Sequence, residues 1–291
     1  MHLVITDSGL GGLSICAALE QALRNAGAVR LTYVNAWPFD DRGYNDLPDL
    51  GARTTVFDRA LASMAALGPD SIVIACNTLS IVYNFTAFCR APGVPVRGIV
   101  DAGVSLFHEA LIADPASAIV LLGTKTTIDS GAHRDELVRR GIVSMRIGAV
   151  SCHGLAGAIE RNPDGPPVAE LIDVCTSRAC EAQPPGGTLL AGLCCTHYGY
   201  VSRRITDALV AKCRRPVRAL DPNQRLVDEL LSEVTGLTTS AGGGPGSATV
   251  EVISKVLIAE TSRLAVARLV EPVSPATAQA LRSYAHVPEL F

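Results

Sequence analysis

Short apolar runs and helical patterns alternate along the whole chain. The run "LVIT" (3–6) is followed by a Gly-rich turn and then by an apolar-periodic helix expected around residues 13–25. "RLTYVN" (30–35) is the next strand expected. After a loop, "TTVFDRALASMAAL" (54–67) places Val56, Ala60, Leu61 and Ala65 at helical spacing. "SIVIA" (71–75) reads as a buried central strand that runs into "CNTLS", and "GVPVRGIV" (93–100) as a strand and then a crossover. The same grammar restarts after residue 100. "SAIVLLGT" (117–124), "IVSMRIG" (142–148) and "TLLAGL" (188–193) are expected strands, and "VAELIDVCTSRACEAQ" is an expected helix. The Pro/Gly-rich stretches 162–167 and 183–187 read as surface loops. Residues 238–250, "TTSAGGGPGSATV", read as a flexible connection before a last strand-like segment, "VEVIS", and a tail. Alternation of this kind predicts α/β architecture with largely parallel sheets.

One echo stands out within that pattern. "SIVIACNT" and "LLAGLCCTHY" share a plan, an apolar strand followed by Cys and polar groups, and Cys76 and Cys195 are separated by about one small α/β domain. Open parallel sheets hold ligands at the carboxyl ends of their strands. Two such ends, one per domain, would give a pseudo-symmetric cleft with one thiol on each side.

Composition narrows the classes. With 48% hydrophobic and 18% charged residues in a chain of 291, there is ample material for cores, and wholesale disorder is excluded. Only 4% is aromatic, so Ala, Val, Leu and Ile must build those cores. A formal charge of -3 leaves no electrostatic footprint for nucleic acid or an anionic membrane. No apolar stretch approaches the roughly 18–20 residues that span a bilayer. "MHLVITDSG" enters a strand without a basic or cleavable apolar segment, so a cytoplasmic location is the expectation. Nine cysteines without a CxxC pair support neither a zinc ribbon nor a dithiol redox motif. Mostly free thiols in a reducing compartment are expected, most of them inert in the core.

A thiol acts as nucleophile or base only where its surroundings favour the thiolate. Cys76 stands between a strand and a helix start, with Asn77 and Thr78 beside it. Cys195 has Thr196 and His197, whose imidazole can shuttle a proton. Either cysteine alone reads as a packed core residue; the pair, at matching strand ends, reads as functional. "DSGLGGLS" (7–14) fails as a dinucleotide fingerprint on its spacing, and fits a turn that binds a carboxylate. Asp7 there is either a helix cap or a proton relay to a neighbouring thiol. Thr124, Thr126, Thr127 and Ser130 in "LLGTKTTIDSG" either hold a carboxylate or form an ordinary polar turn. Lys125 would be needed by a pyridoxal-phosphate enzyme, but a lysine on a polar turn is normally solvated. Cys152, His153 and Glu160 match no metal-ligand spacing with Cys195 and His197, so no metal is expected.

Taken together, Asp7 to Ser14, Ala75 to Ser80 and Cys194 to Tyr198 resemble the DSGxGGLS, ACNTxS and GCTHY motifs of the glutamate racemase branch of the aspartate/glutamate racemase superfamily. Cys194 stands where the family usually has Gly. "GTKTTIDSG" is similar to its GTxxTxxS segment, and "SCHGLAGAIE" loosely matches its stretch ending at a glutamate, here Glu160. The resemblance implies two similar, mostly parallel α/β domains related by pseudo-two-fold symmetry, with the site in the cleft between them. Residues 1–98 plus about 208–291 would form the first and about 99–207 the second. It implies no cofactor, Cys76 and Cys195 as the two acid/base groups, and Asp7, His197 and Glu160 as their assistants. Ser8, Asn77, Thr78, Thr124, Thr127, Thr196, Gly43 and Tyr44 would bind substrate. The implied partner is a small amino acid, with a homodimer among the assemblies open to the family, and the implied role is supply of D-glutamate for peptidoglycan.

One segment departs from the family. Where it usually carries a DTARxPYG-like stretch, this chain has "NAWPFDDRGYNDLP" (35–48). Gly43 and Tyr44 resemble its end, whereas Asp40 and Asp41 would repel a second carboxylate unless they point away or Arg42 offsets them. Gly157 also replaces a frequent Pro. Aspartate, another acid, or a non-catalytic relative that binds a small acid therefore stay open as alternatives. The tail "TAQALRSYAHVPELF" (277–291) is apolar enough to dock on a domain or on a partner.

Overall fold

The computed structural model describes residues 1–25, 28–182, 184–238 and 248–291. It divides into two units, Met1–Ile99 with Leu226–Phe291, and Val100–Arg225. Both are α/β units with wholly parallel sheets.

Among the described residues, the first unit is built on strands β1 (His2–Asp7), β2 (Val29–Asn35), β3 (Ser71–Ile74), β4 (Val96–Gly98), β9 (Ala248–Ser254) and β10 (Ala285–His286). Their order across the sheet is β10-β9-β2-β1-β3-β4. Thr6 lies opposite Ile74 and Asp7 opposite Asn35, so the carboxyl ends of the central strands align and the residues that follow them become neighbours. Helices α1 (Leu13–Leu23), α2 (Leu50–Ala66) and α3 (Asn77–Tyr83) follow β1, β2 and β3. One core joins Val4, Val34, Ile72 and Ile74 to Phe57, Leu61 and Met64 of α2 and to Tyr44, Cys76 and Leu79. The tail docks on its own unit. Helix Pro275–Arg282 packs on α1 and β9, β10 extends the sheet, and Leu290 and Phe291 pack against that core.

The second unit contains β5 (Ala118–Gly123), β6 (Ile147–Ser151), β7 (Leu189–Cys194) and β8 (Val217–Leu220), in the order β6-β5-β7-β8. Every residue of β5 and β7 is buried, as expected of strands covered on both faces. Alternate side chains feed different cores. Val120, Leu122, Leu193 and Cys195 enter one, and Ile119, Leu121, Leu190 and Cys194 the other.

Three expectations change. The chain returns to the first unit at residue 226, not near 208, because helix Ser202–Cys213 and β8 complete the second sheet against β7. The strand expected over 142–148 begins only at Ile147. Residues 144–146 form a 3-10 turn, and Val143 and Met145 are 60% and 72% exposed, so that apolar run is not a buried strand. Seven cysteines are free, but Cys180 and Cys213 form a disulfide between helix Pro166–Glu181 and the end of helix Ser202–Cys213. Spacing gave no hint of it, since the partners lie on different helices. The Gly-rich connection at 239–247 lies outside the described residues. Among the described residues no helix is long and apolar enough to cross a membrane.

Candidate active site

In the first unit, β1 ends on Asp7, which is 1% exposed and accepts a hydrogen bond from the Gly12 backbone N–H at 2.7 Å. Only glycine fits at 12. An added Cβ would lie 2.8 Å from the Ala75 Cβ and 3.0 Å from Asp7 Oδ2. This close approach of the turn to the end of β3 seats Ser8 beside Cys76, with Oγ and Sγ 3.1 Å apart. Cys76 caps α3, its sulfur accepting from the Leu79 N–H at 3.5 Å. Burial pushes its thiol well up, the neighbouring Asp7 carboxylate adds to this, and the contacts to Ser8 and Leu79 pull the other way. At rest Cys76 is therefore a neutral thiol.

Among the described residues, Asn77 and Tyr44 of the same unit carry buried polar atoms without partners. Asn77, next to Cys76, has neither amide atom hydrogen-bonded, and the Tyr44 hydroxyl is likewise unpaired. Tyr44 shares a core cluster with Cys76. Burial first, and then Cys76, push its phenol up. Groups like these cost stability unless something satisfies them, so they mark a place where a polar ligand is expected. Thr78 is buried beside them. Gly43 lies under the Trp37 indole, where an added Cβ would come 2.5 Å from its Cη2. Asp40 and Asp41 are exposed, and Arg42 Nε lies 3.7 Å from Asp41 Oδ1.

In the second unit, the register of β5 against β7 (Gly123 opposite Cys194) makes Thr124 and Cys195 neighbouring strand ends. Strand alternation separates the two adjacent cysteines. Cys194 is fully buried in one core with its thiol toward the Gly192 carbonyl at 3.7 Å. Cys195 faces the other way, and the 3-10 turn Thr196–Val201 brings His197 back over it. Cys195 Sγ and His197 Nδ1 are 3.9 Å apart, and His197 Nε2 lies 2.8 Å from Glu160 Oε2. Burial works against the imidazolium, but Cys195 and Glu160 outweigh it and hold the His197 pKa well above its usual value. Glu160 comes from helix Leu155–Arg161, which starts at Gly154 with φ 83°. Thr124 and Thr127 hydrogen-bond each other at 3.0 Å. Lys125 pairs with Asp129 on the surface, and His153 is exposed while Cys152 is buried.

The expected residues thus fall into two groups, Asp7, Ser8, Tyr44, Cys76, Asn77 and Thr78 in one unit, and Glu160, Cys195, Thr196 and His197 with Thr124 and Thr127 in the other. Sequence reading missed Asp221 and Asn223. Asn223 Nδ2 donates to the Thr196 carbonyl at 3.0 Å and so braces the turn that carries His197, while Asp221 accepts from the Asn223 N–H at 3.0 Å and lies close enough that a Cβ at Gly199 would come 2.7 Å from its Oδ2. The pairing of Gly199 with a later Asp-x-Asn carried no signal, because the contact spans more than twenty residues.

Comparison with known proteins places these residues in context. The model of the Asp/Glu/Hydantoin racemase family matches residues 7–230. Glutamate racemase of Aquifex aeolicus is 31% identical over 141 residues, 48% of this chain and 52% of that protein. The chain thus spans about half the length of that curated relative. Glutamate racemase of Francisella tularensis, solved in complex with D-glutamate, superposes with a TM-score of 0.70 at 18% identity, covering 99% of this chain and 97% of the other. That of Campylobacter jejuni gives 0.68 at 21% identity, covering 92% and 98%. At these identities the likeness is one of fold.

Proposed function

We propose, since the chain belongs to the Asp/Glu/Hydantoin racemase family, that it is a cofactor-independent amino-acid racemase that interconverts L- and D-glutamate through two thiols, Cys76 and Cys195. The observation that carries this reading is the pairing at two strand ends. Each unit follows a central strand with a buried thiol that has a polar neighbour of its own, Ser8 for Cys76, whose thiol also feels the Asp7 carboxylate, and the His197–Glu160 pair for Cys195.

Inversion at an α-carbon needs a base on one face and an acid on the other. One sulfur, as thiolate, takes the α-proton and becomes a thiol. The resulting planar carbanion takes a proton from the opposite thiol, which becomes the thiolate, so protons balance over the cycle. Cys76, kept neutral by burial and by Asp7, enters as the donor. His197 lies within reach of Cys195 Sγ and passes protons to and from it, with Glu160 holding the imidazolium. The unpartnered Asn77 amide offers a donor and an acceptor to the α-amino and α-carboxylate groups, and the Tyr44 hydroxyl offers a third contact. Ser8, Thr78, Thr124, Thr127 and Thr196 complete the binding groups, with the backbone at Gly43.

Glutamate is favoured by the curated relative named above, a glutamate racemase, and by the exposure of Asp40 and Asp41, which removes the repulsion they would exert from a buried position. The D-glutamate formed would serve peptidoglycan synthesis. The test is α-proton exchange in D₂O with L- and D-glutamate and with L- and D-aspartate, no cofactor added. Exchange with inversion of glutamate is expected, falling at least about a thousandfold in Cys76→Ala and in Cys195→Ala. Exchange with aspartate alone would keep the two-thiol chemistry and replace the substrate. Exchange with none of the four would leave a small-acid-binding relative.

A further inference from the structure

Segment 37–44 follows β2 and ends on Tyr44, which shares a core cluster with Cys76. Inside it Phe39 and Arg42 form an antiparallel bridge, so residues 40 and 41 are the tip of a tight turn. The Arg42 guanidinium lies 5.1 Å from the centroid of the Phe39 ring. The same ring carries a second cation, Lys255 Nζ at 5.5 Å, and that ammonium lies 4.5 Å from the Phe291 ring. The result is a stack of alternating charge and ring, Arg42, Phe39, Lys255, Phe291, drawn from three distant stretches of sequence.

Lys255 makes the stack informative. It lines a cavity of about 510 Å³ together with Asp40 and Asp41. Among the described residues no carboxylate pairs with it; its ammonium rests on two aromatic faces instead. A flexible lysine that needed only a counter-ion would reach for an aspartate of the same cavity. Half-buried between rings, it ties the turn to the end of β9 and to the tail. Phe39 and Phe291 also pack against the core that holds Tyr44 and Cys76. At the other end of the segment, Trp37 closes on Gly43, immediately before Tyr44.

We propose that Lys255 and Phe291 are positioning residues for substrate: through Phe39 they hold segment 37–44 so that the Tyr44 hydroxyl stays beside Cys76. This rests on the racemase reading above. The stack does not touch the reacting atoms, so its loss weakens substrate binding and leaves the proton transfers in place.

Trp37 is the only tryptophan in the chain and lies within the segment, so its fluorescence reports the segment directly. The experiment compares the unmodified protein with Lys255→Met, Lys255→Arg and Phe291→Leu. The readouts are acrylamide quenching of Trp37 and steady-state racemisation of glutamate. Lys255→Met and Phe291→Leu are expected to quench more readily and to raise KM about fivefold with kcat changed less than twofold. Fivefold corresponds to about 1 kcal/mol, within the range of a half-desolvated cation–aromatic contact. Lys255→Arg keeps the charge over the rings and restores both readouts. Unchanged quenching and KM in Lys255→Met and Phe291→Leu would overturn the proposal, as would altered quenching with an unchanged KM or a loss confined to kcat. Should Lys255→Met fail to fold, Phe291→Leu, which keeps apolar bulk and removes only the ring face, decides alone. If the unmodified protein turns over no amino acid, the racemase reading fails and the substrate role of the stack fails with it. The quenching arm still reports whether the stack holds the segment.

Discussion

Replacing Glu160 by glutamine tests the proton partner of Cys195 without removing any packing. The carboxylate now accepts from His197 Nε2 at 2.8 Å, in a pair whose imidazole is 7% exposed and whose carboxylate is 22% exposed. A hydrogen bond to a charged group contributes about 1.5–3 kcal/mol, and a neutral one about 0.5–1.5 kcal/mol. Glutamine keeps a carbonyl acceptor in the same place, so the expected loss is about 1 kcal/mol. Its pH dependence carries the sign. The folded His197 pKa is raised above the ordinary imidazole value of 6.5. The native state therefore holds a proton that the unfolded chain has released. The pair's contribution is fully present below about pH 6.5 and is lost as pH rises through the folded value. Urea unfolding of the second unit, followed by circular dichroism across pH, should show the difference between the two proteins at its largest at pH 5.5–6 and vanishing at high pH. Trp37 reports the first unit separately. The His197 imidazole resonance, assigned by its absence in His197→Gln, should titrate at lower pH in Glu160→Gln. A stability difference that is flat with pH, or a His197 titration that does not move, would refute the reasoning.

Gly43→Ala should cost about 1–3 kcal/mol, because its Cβ would displace the Trp37 indole; a red-shifted, more quenchable Trp37 emission checks it, and an unchanged spectrum counts against the packing. His133 is buried and its pKa is pushed down to about 4, so the unfolded chain takes up the proton first. Stability should therefore fall by about 3 kcal/mol as pH drops from 6.5 to 4. Acid unfolding of His133→Leu should lack that limb. The Cys180–Cys213 bridge spans 33 residues, and its removal should cost about 3–4 kcal/mol by loop entropy. Calorimetry with and without a phosphine reductant measures this, and an unmoved transition would show that the Lys212–Asp173 ion pair and its neighbours hold the two helices unaided.

The separate lesson of Cys194 and Cys195 is how far local pattern reaches. Adjacent residues at the end of a strand point to opposite faces, and the structure divides the two sulfurs that way, Cys194 in one core and Cys195 in the other. The turn "CTH" placed an imidazole two residues from the thiol, within one short 3-10 segment. The strands expected at 3–6, 30–35, 71–75 and 188–193 were legible because parallel strands buried on both faces are predominantly apolar runs. Segment 142–148 misled for the same reason: it is apolar enough for a strand, but burial is decided by neighbours, and Val143 and Met145 have none above them.

What the chain by itself determined was local: which runs become strands, which glycines allow close turns, and which residues follow each strand end. Whether those ends carry partners was decided only by tertiary structure. The Glu160 carboxylate on His197, the brace of Asn223 on Thr196 and the Lys255 stack on Phe39 and Phe291 all join residues from separate elements, and tertiary burial is what leaves the Asn77 amide without a partner. The disulfide and the return of the chain at residue 226 belong with them. Periodicity in sequence records the geometry of a single helix or strand, which repeats every few residues. Side-chain pairing depends on the distances between elements, and those exist only once sheet order and register have brought the elements together.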